Sequence, residues 1–455
     1  MLGVQGGTGR FAGSLPSKLC ARRHTTMAMS FRRILLVLVA FLFAAVLLSP
    51  LWASRLAVTR PLYNIGAYKT RRWWWDHVAT PASIGRGSLA GWVTDTEGEP
   101  VAGALVLVAT PRGQTFYAYS DETGYYSING IPRGVYRPIA AAWGYELPSQ
   151  SRPPQVGAPM ALGAEPGRFD AVLTPHLSPP LPETVDLQVG PPLTVTSDFA
   201  LVSQATRRAI TFTHEGLAIN SDFLYTPRPA GGPWPLLVIA YPSIATNWEK
   251  ATVPFAASGY TVLAIGPDPD RALDLDGHAR DMQLIIGLTQ RGRLGPFPAA
   301  PDFVLVTGSF GSLYGYRALP DLQHLLAIVN IGGVSDAFLG VQALYSETLQ
   351  IPPPYDLAIA SMGSPDRDPA FFLAYSPAFW ARHHPPTYIM HTYEDEVIPY
   401  NQAQRLAAAL AEAGIPHQLY LYHSDTHYLD PRTPTEQALD VFSRVLAFVD
   451  EQYRP

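Results

Sequence analysis

The sequence is poor in cysteine and in lysine. Its single cysteine is Cys20, and only three of its 32 basic residues are lysines. One cysteine excludes an intrachain disulfide and a cysteine-rich zinc site, so the fold has to depend on an apolar core. The net charge is −5 and the body of the chain contains no basic run, which argues against a nucleic acid as the main partner.

Apolar residues and proline are plentiful by contrast. Of the 455 residues, 47% are hydrophobic, 15% are charged and 44 are prolines. This balance excludes a disordered protein and supplies enough apolar side chains for two or three domains. The proline content lies above the average usage of about 5% and predicts long, stiff connecting segments.

One long apolar run lies near the N-terminus. Residues 34–52 begin ILLVLVAFLFAAVLLS and directly follow Arg32 and Arg33. About 20 apolar residues span a bilayer, and basic flanks stay on the cytoplasmic side. We therefore predict a cytoplasmic tail (1–33), a signal-anchor transmembrane helix (34–52) and a juxtamembrane linker (53–85). The rest of the chain would be membrane-anchored and extracytoplasmic; a cleaved signal and secretion are the alternative.

Short strand patterns alternate with turn signals over residues 86–178. The runs GWVTD, PVAGA, DETGYYSINGIP and RGVY follow one another, with glycines at the turns. Such strands and turns at this spacing predict a β-sandwich. In this order the motifs resemble the carboxypeptidase regulatory-like (transthyretin-like) domain. The resemblance implies a non-catalytic accessory, either a packing module or a module that binds a glycan or a protein partner.

A proline-rich segment follows the sandwich. The stretch PHLSPPLPETVDLQVGPPL contains it, and we assign residues 179–199 to it. Proline-rich segments are extended and semi-rigid. We therefore predict a linker at 179–199 and a separate domain at 200–455.

The C-terminal domain alternates strand and helix patterns. This alternation predicts an α/β fold with a doubly wound, mainly parallel sheet. Continuous apolar runs such as WPLLVIAYP are typical of strands that are buried on both faces. The predicted strands lie at 234–242, 260–267, 302–308, 324–333, 386–399 and 417–423, and the predicted helices at 279–291, 401–414 and 434–453.

The third of these strands ends in TGSFG, residues 307–311. In a nucleophile elbow a serine lies on a tight turn between a strand and a helix, with small residues two positions to either side. Thr307 and Gly311 meet this need around Ser309, and the turn directs the Phe310 N–H toward a developing oxyanion. An ordinary glycine-rich turn contains the same residues, so a nucleophilic serine needs a base and an acid from elsewhere.

An acidic loop and a histidine loop follow two later strands. Asp395 lies before a V-I-P turn and is the predicted acid, with Glu394 and Glu396 as alternatives. His427 lies beyond the last strand and is the predicted base, with His423 at the strand end as the alternative. Catalytic groups gather at the carboxyl ends of the strands in open α/β sheets, so these groups are expected to meet the serine.

The order serine, acid, histidine on this pattern resembles the α/β-hydrolase superfamily, nearest its dienelactone hydrolase and prolyl oligopeptidase-like branch. The resemblance implies that Ser309 is the nucleophile, that His427 is the general base and then acid, and that Asp395 holds the imidazole tautomer. It implies oxyanion donors at the N–H groups of Phe310 and Ser243. It implies neither a cofactor nor a metal.

The chain departs from this family after its first predicted parallel strand. Tyr241 and Pro242 replace the usual His-Gly pair. Pro242 has no N–H, so the second oxyanion donor is expected from Ser243. The N–H of Ile244 and the hydroxyl of Tyr241 are alternatives. Loss of one oxyanion donor typically costs about 10²–10³ in rate, so this departure is the feature that favours a catalytically inactive protein.

Together these features predict a serine hydrolase that cleaves a carboxylic ester, thioester or amide on a small or acyl-bearing substrate. No blade repeats precede the hydrolase pattern, so the gating propeller of large oligopeptidases is missing and an ester is favoured. The alternatives are a prolyl oligopeptidase-like peptidase and a non-catalytic surface-binding protein on a degenerate hydrolase fold. Residues 334–382 are predicted to form either a cap over the site or a packed surface excursion.

Overall fold

The computed structural model describes most of the chain beyond residue 85. It describes isolated positions between 38 and 78, residues 180, 182, 232 and 427, and the ranges 86–147, 156–178, 185–228, 234–295, 299–345, 363–424 and 435–454. The chain divides into two compact units, Met1–Leu56 and Ala57–Pro455. Every element described below belongs to the second unit.

The predicted signal-anchor lies, apart from three positions, outside the described residues. Within the part of the chain that the structure describes, no helix combines the length and the hydropathy needed to cross a membrane. The helix at 34–52 therefore stays a prediction from sequence.

The N-terminal part of the second unit is a β-sandwich. One sheet has the order β4-β1-β8, with β9 also paired to β1, and the facing sheet has the order β3-β2-β6, while β5 pairs with β7. Alternating side chains such as Leu89, Val93, Val106 and Ile128 fill the space between the two sheets. The strands are β1 Arg86–Asp95, β2 Leu105–Ala109, β3 Thr115–Tyr119, β4 Tyr125–Pro132, β5 Gly134–Tyr136, β6 Ile139–Ala141, β7 Met160–Leu162, β8 Gly167–Arg168 and β9 Ala171–Leu173.

The segment predicted as a linker at 179–199 contains strands instead. Its second half forms β10 Leu187–Val189 and β11 Leu193–Ser197. Both pair antiparallel with β12 Ser203–His214 of the C-terminal domain. Proline is tolerated in an edge strand or at a strand end, because the N–H that it lacks would have no hydrogen-bond partner there. The proline-rich composition therefore concealed two strands at the sheet edge, and the C-terminal domain begins earlier than predicted.

The C-terminal domain is built on a ten-stranded sheet. Its order is β10-β12-β13-β15-β14-β16-β17-β18-β19, with β11 also paired to β12. The strands from β15 to β19 run parallel, and β13 joins β15 antiparallel. The strands after β12 are β13 Leu217–Thr226, β14 Trp234–Ala240, β15 Thr261–Ile265, β16 Ala299–Gly308, β17 Leu325–Ile331, β18 Thr387–Thr392 and β19 His417–Tyr422.

Helices cover both faces of this sheet, as the doubly wound pattern predicted. Val253 and Phe448 pack on one face, and Ile285 and Tyr314 pack on the other, each within a separate apolar cluster. The central strands are buried on both faces, which is why they read as continuous apolar runs. The helices are α1 Glu249–Ala257, α2 Leu275–Gln290, α3 Phe310–Ala318, α4 Ala337–Tyr345, α5 Pro369–Ala374, α6 Asn401–Glu412 and α7 Glu436–Gln452, with 3₁₀ turns at Ala245–Trp248, Pro269–Arg271, Leu319–Asp321 and Pro377–His383.

The excursion between β17 and β18 packs against the β-sandwich. Leu105 and Leu107 of β2 share one apolar cluster with Phe338 of α4 and Phe379 of the following 3₁₀ turn. The contact is close, since a Cβ atom on Gly113 would lie 2.1 Å from the Phe338 carbonyl oxygen. Residues 346–362, the middle of the predicted cap, lie outside the described residues. The described parts of the excursion therefore form a contact with the β-sandwich. The cap over the site stays a prediction from sequence.

Candidate active site

Ser309 lies on a strained turn between β16 and α3. Its backbone has φ 47° and ψ −129°, a region that non-glycine residues rarely adopt. Glycines lie on either side of the serine because the backbones of the adjacent strands approach the turn so closely that they leave no room for a side chain. A Cβ atom on Gly308 would lie 2.2 Å from the Ile331 carbonyl oxygen, and one on Gly311 would lie 2.2 Å from that of Ala240. This is the geometry of a nucleophile elbow, which directs the serine side chain away from the sheet.

His427 bridges the serine and an acid. Its Nε2 lies 2.8 Å from Ser309 Oγ, and its Nδ1 lies 2.7 Å from Asp395 Oδ2. The hydrogen bond between Nδ1–H and the carboxylate leaves Nε2 as the acceptor for the serine hydroxyl. The three residues come from three different strand ends, separated along the chain by 118 and 32 residues. The tertiary fold therefore assembles a base that is oriented toward a hydroxyl.

The side chain of Asp395 is fully buried, and several N–H groups surround its carboxylate. Its Oδ1 accepts hydrogen bonds from the backbone N–H groups of Val397 (2.9 Å) and Ile398 (2.7 Å). Its Oδ2 faces His427 and also Nε2 of His391, which lies 3.1 Å away. The turn that supplies the two backbone donors explains why β18 ends at Thr392, short of the predicted end at 399: an extended strand could not fold its amides around one carboxylate.

These donors decide the ionisation of the acid. Burial by itself would raise the pKa of the Asp395 carboxyl group. Hydrogen bonds from His391 and His427, the charge of the His427 ring and the Ile398 N–H outweigh burial and hold this pKa below its ordinary value. Asp395 is therefore a carboxylate at neutral pH.

The alternatives that the sequence left open form a separate pair. His423 Nδ1 lies 2.5 Å from Glu394 Oε1, and the His423 side chain is 77% exposed. Glu394 also accepts a hydrogen bond from the backbone N–H of Ser424, and its pKa is lowered to about 2 by hydrogen bonds from His423 and Ser424. Glu396 is exposed. Within the described residues, none of these side chains forms a hydrogen bond with Ser309.

The other side of the site carries the predicted oxyanion donors. Phe310 is the first residue of α3, where backbone N–H groups point out of the helix end. The N–H of Ser309 itself donates to the Gly332 carbonyl oxygen. Ser243 lies in the turn between β14 and the 3₁₀ turn at Ala245–Trp248, and its N–H makes no hydrogen bond within the described residues.

Tyr241 does not supply a side-chain donor to the site. Its ring is 6% exposed and stacks on Trp248 with centroids 5.6 Å apart, and its hydroxyl hydrogen-bonds to Thr252. That alternative for the oxyanion site was wrong, because the ring packs into the apolar layer next to α1. Its backbone carbonyl instead accepts a hydrogen bond from the Tyr314 hydroxyl at 2.7 Å.

Sequence reasoning missed three residues that hold this site together. His391 lies beside Asp395, Tyr314 binds the Tyr241 carbonyl, and Trp248 Nε1–H donates to Ser243 Oγ at 2.9 Å. The position of His391 could have been inferred locally. It lies near the end of a strand and four residues before the acid, so it is close to the turn that contains the acid. Tyr314 and Trp248 looked like ordinary apolar helix residues. Among the residues that the structure describes, no group of three or more His, Cys, Asp or Glu side chains could hold a metal.

Two family models match the chain. Residues 331–455 match the prolyl oligopeptidase family, and residues 88–201 match the carboxypeptidase regulatory-like domain. Both resemblances predicted from the motifs are thereby confirmed. The first match includes Asp395 and His427 and begins after Ser309. The second covers the β-sandwich and extends across the segment that we predicted as a linker. Comparison with curated protein sequences gives no match.

Solved structures that match the chain at low identity include hydrolases of several kinds. The Pyrococcus horikoshii acylaminoacyl peptidase has 14% identity and a TM-score of 0.45, over 78% of this chain and 63% of its own. A bacterial heroin esterase has 15% identity and a TM-score of 0.42, over 60% and 86%. A truncated carbohydrate esterase from gut microbiota has 15% identity and a TM-score of 0.39, over 51% and 90%. Similarity this low gives no information about the substrate of this chain.

Proposed function

We propose that this protein is a serine hydrolase that cleaves a carboxylic ester through an acyl-enzyme intermediate. The observation that supports it most directly is the position of His427, in hydrogen-bonding contact with both Ser309 and Asp395. A hydroxyl is a poor nucleophile at neutral pH and needs an oriented base. The strained backbone of Ser309 adds a second indication, because such strain is concentrated at functional positions.

In this proposal Ser309 Oγ attacks the ester carbonyl carbon while His427 Nε2 takes the hydroxyl proton. The C–O bond to the leaving alcohol then breaks, and the alcohol takes that proton from the imidazolium. Water repeats the two steps on the acyl-serine and releases the acid. Asp395 stays ionised throughout and stabilises the imidazolium that forms at each stage.

The oxyanion would be held by the N–H groups of Phe310 and Ser243. The N–H of Phe310 belongs to the end of a helix whose dipole favours negative charge. We favour Ser243 as the second donor because it supplies the first backbone N–H after Pro242. The turn that contains it starts at Tyr241, whose backbone lies beside Gly311. Preorganised donors of this kind commonly supply the largest part of such catalysis.

The direct test is labelling of the purified chain with a fluorophosphonate probe. We expect the wild type to be labelled at Ser309, and the Ser309→Ala and His427→Ala variants to lose labelling. His423→Ala is the matched control, because His423 is the neighbouring loop histidine and pairs with Glu394; it should keep labelling. A folded wild type without labelling would instead support the alternative of a binding protein on a hydrolase fold.

A peptidase is the second candidate, favoured by the match of residues 331–455 to the prolyl oligopeptidase family. We favour an ester because a β-sandwich, and not a series of propeller blades, precedes the hydrolase sheet in the described chain. A panel of nitrophenyl esters and of peptide nitroanilides separates the two. The ester proposal requires kcat/KM values for esters at least tenfold above those for the best peptide amide.

We further propose that the chain is anchored in a membrane through residues 34–52, with the hydrolase domain on the extracytoplasmic side. The apolar run and the preceding Arg32 and Arg33 support this. Carbonate extraction of membranes from cells that express the full chain, compared with a chain that starts at residue 53, tests it. Release of the full chain by carbonate would contradict an anchor.

A further inference from the structure

A second histidine lies behind the acid of the proposed triad. His391, on β18, is buried, with 1% of its side chain exposed. Its Nε2 lies 2.7 Å from the Ile398 carbonyl oxygen and 3.1 Å from Asp395 Oδ2. Because a carbonyl oxygen can only accept, Nε2 must carry the proton. This protonated nitrogen also lies next to the carboxylate oxygen that His427 uses.

The contact closes a small ring of polar contacts around the acid. Ile398 donates its N–H to Asp395 Oδ1 and accepts from His391 through its carbonyl oxygen. His391 in turn faces Oδ2, so the histidine joins the strand to the turn that follows it. A buried carboxylate without donors would be costly to keep ionised, and each donor to a charged group contributes more than a neutral hydrogen bond.

We propose that His391 is a positioning residue that keeps the Asp395 carboxylate charged and directed at His427. The inference rests on the proposed function, since its effect on rate requires Asp395 to act through His427. Without the His391 N–H, Oδ2 would have only the catalytic imidazole as a side-chain partner among the described residues, and the direction of the carboxylate would depend on the two backbone donors to Oδ1 alone. His391 acts on the reaction only through Asp395 and contacts no reacting atom.

The test compares three variants of the full chain. His391→Leu removes the donor, and His391→Gln keeps a side-chain N–H near the position of Nε2. His384→Leu is the matched control, because His384 is also a buried histidine and its ring nitrogens have no hydrogen-bond partner among the described residues. Thermal unfolding and circular dichroism establish that each variant is folded before it is compared.

The expected effect on ester hydrolysis is specific to kcat. His391→Leu should lower kcat roughly ten- to one-hundred-fold, the size expected for a lost hydrogen bond to a charged group, with KM changed by less than about twofold. His391→Gln should recover most of the loss, and His384→Leu should retain wild-type kcat. A folded His391→Leu variant with wild-type kcat, or a His391→Gln variant as slow as His391→Leu, would overturn the proposal.

A second measurement needs no substrate. The His427 Nδ1 proton, hydrogen-bonded to Asp395, is expected to give a low-field proton NMR resonance in the wild type. We expect this resonance to shift or broaden in His391→Leu and to stay in place in His384→Leu; an unchanged resonance in folded His391→Leu would overturn the inference. An inactive wild type in which the resonance still responds to His391→Leu would reject the proposed function and retain the positioning role.

Discussion

The two sides of the site are built in different ways. On the acid side, after β18, two of the donors to Asp395 are backbone N–H groups two and three residues further along the chain. On the proposed oxyanion side, after β14, the turn that starts at Tyr241 is held by the Tyr314 hydroxyl, 73 residues away, and by the Trp248 ring. The acid side is mainly local, whereas the proposed oxyanion side also depends on a side chain from a helix far along the chain.

The difference shows how the chain accommodates its unusual Tyr241-Pro242 pair. A His-Gly pair would place a small, flexible residue where this chain has a proline, which fixes its own φ and offers no N–H. The Tyr241 carbonyl is fixed by Tyr314, and Ser243 Oγ is fixed by Trp248. A turn held at both ends can present the Ser243 N–H in one direction, which is what an oxyanion donor requires.

The largest effect should come from breaking the acid side. Asp395→Asn keeps the shape of the side chain but removes the charge that stabilises the imidazolium, and we expect kcat to fall by about 10³–10⁴. Ester hydrolysis under saturating substrate measures it. Glu394→Gln is the control, since Glu394 neighbours Asp395 and forms its ion pair with the exposed His423; its kcat should change less than about threefold. Equal losses in both variants would contradict the assignment of the acid.

On the oxyanion side, Gly311→Ala should have the next largest effect. The new Cβ would lie 2.2 Å from the Ala240 carbonyl oxygen, so α3 and the end of β14 have to separate. We expect kcat to fall roughly 10²-fold through misplaced donors and stability to fall by about 1–3 kcal/mol. Kinetics and urea unfolding measure the two effects.

The control for that change is Gly163→Ala. Gly163 has open space around its Cβ position and an ordinary φ, so neither rate nor stability should change. A Gly311→Ala variant with wild-type kcat would show that the spacing of α3 and β14 is not needed for the reaction.

A smaller effect is expected from the support of the oxyanion turn. Trp248→Phe keeps a ring to stack on Tyr241 but removes the N–H that binds Ser243. Loss of one neutral hydrogen bond predicts a decrease in kcat of about fivefold. Ser243→Ala should cost the same, and the double variant should be no slower than either single variant. Additive losses would indicate that the two side chains act separately.

The smallest effect concerns stability against pH. Because the folded-state pKa of Asp395 lies below its ordinary value of about 3.9, its ionisation stabilises the fold above that pH. This contribution is lost as the pH falls through the lower folded-state pKa. Urea unfolding at pH 3 to 7 should show the advantage of the wild type over Asp395→Asn shrinking below about pH 4. An advantage that grows on acidification would contradict the sign.

Much of the fold could be predicted from sequence because its signals are local. The runs at β14 and β15 are apolar at every position or nearly so, and the helix at α6 ends close to Gly414, as predicted. The strands at β10 and β11 could not be predicted in this way. They are short and proline-flanked, and they exist because β12 offers an open edge.

The sequence by itself determined the order of Ser309, Asp395 and His427 and the strand ends on which they lie, since parallel strands bring their carboxyl ends to one edge. It also determined the turn that wraps Asp395, because those donors are two and three residues away. Only the tertiary structure decided which histidine reaches the serine, that His391 faces the acid, and that Tyr314 and Trp248 hold the oxyanion turn. The contacts of His427 with Ser309 and of Tyr314 with Tyr241 join groups from different elements, and their distances depend on how the elements pack on the sheet. The His391 and Trp248 contacts span only four and five residues, but the folded turns set their geometry.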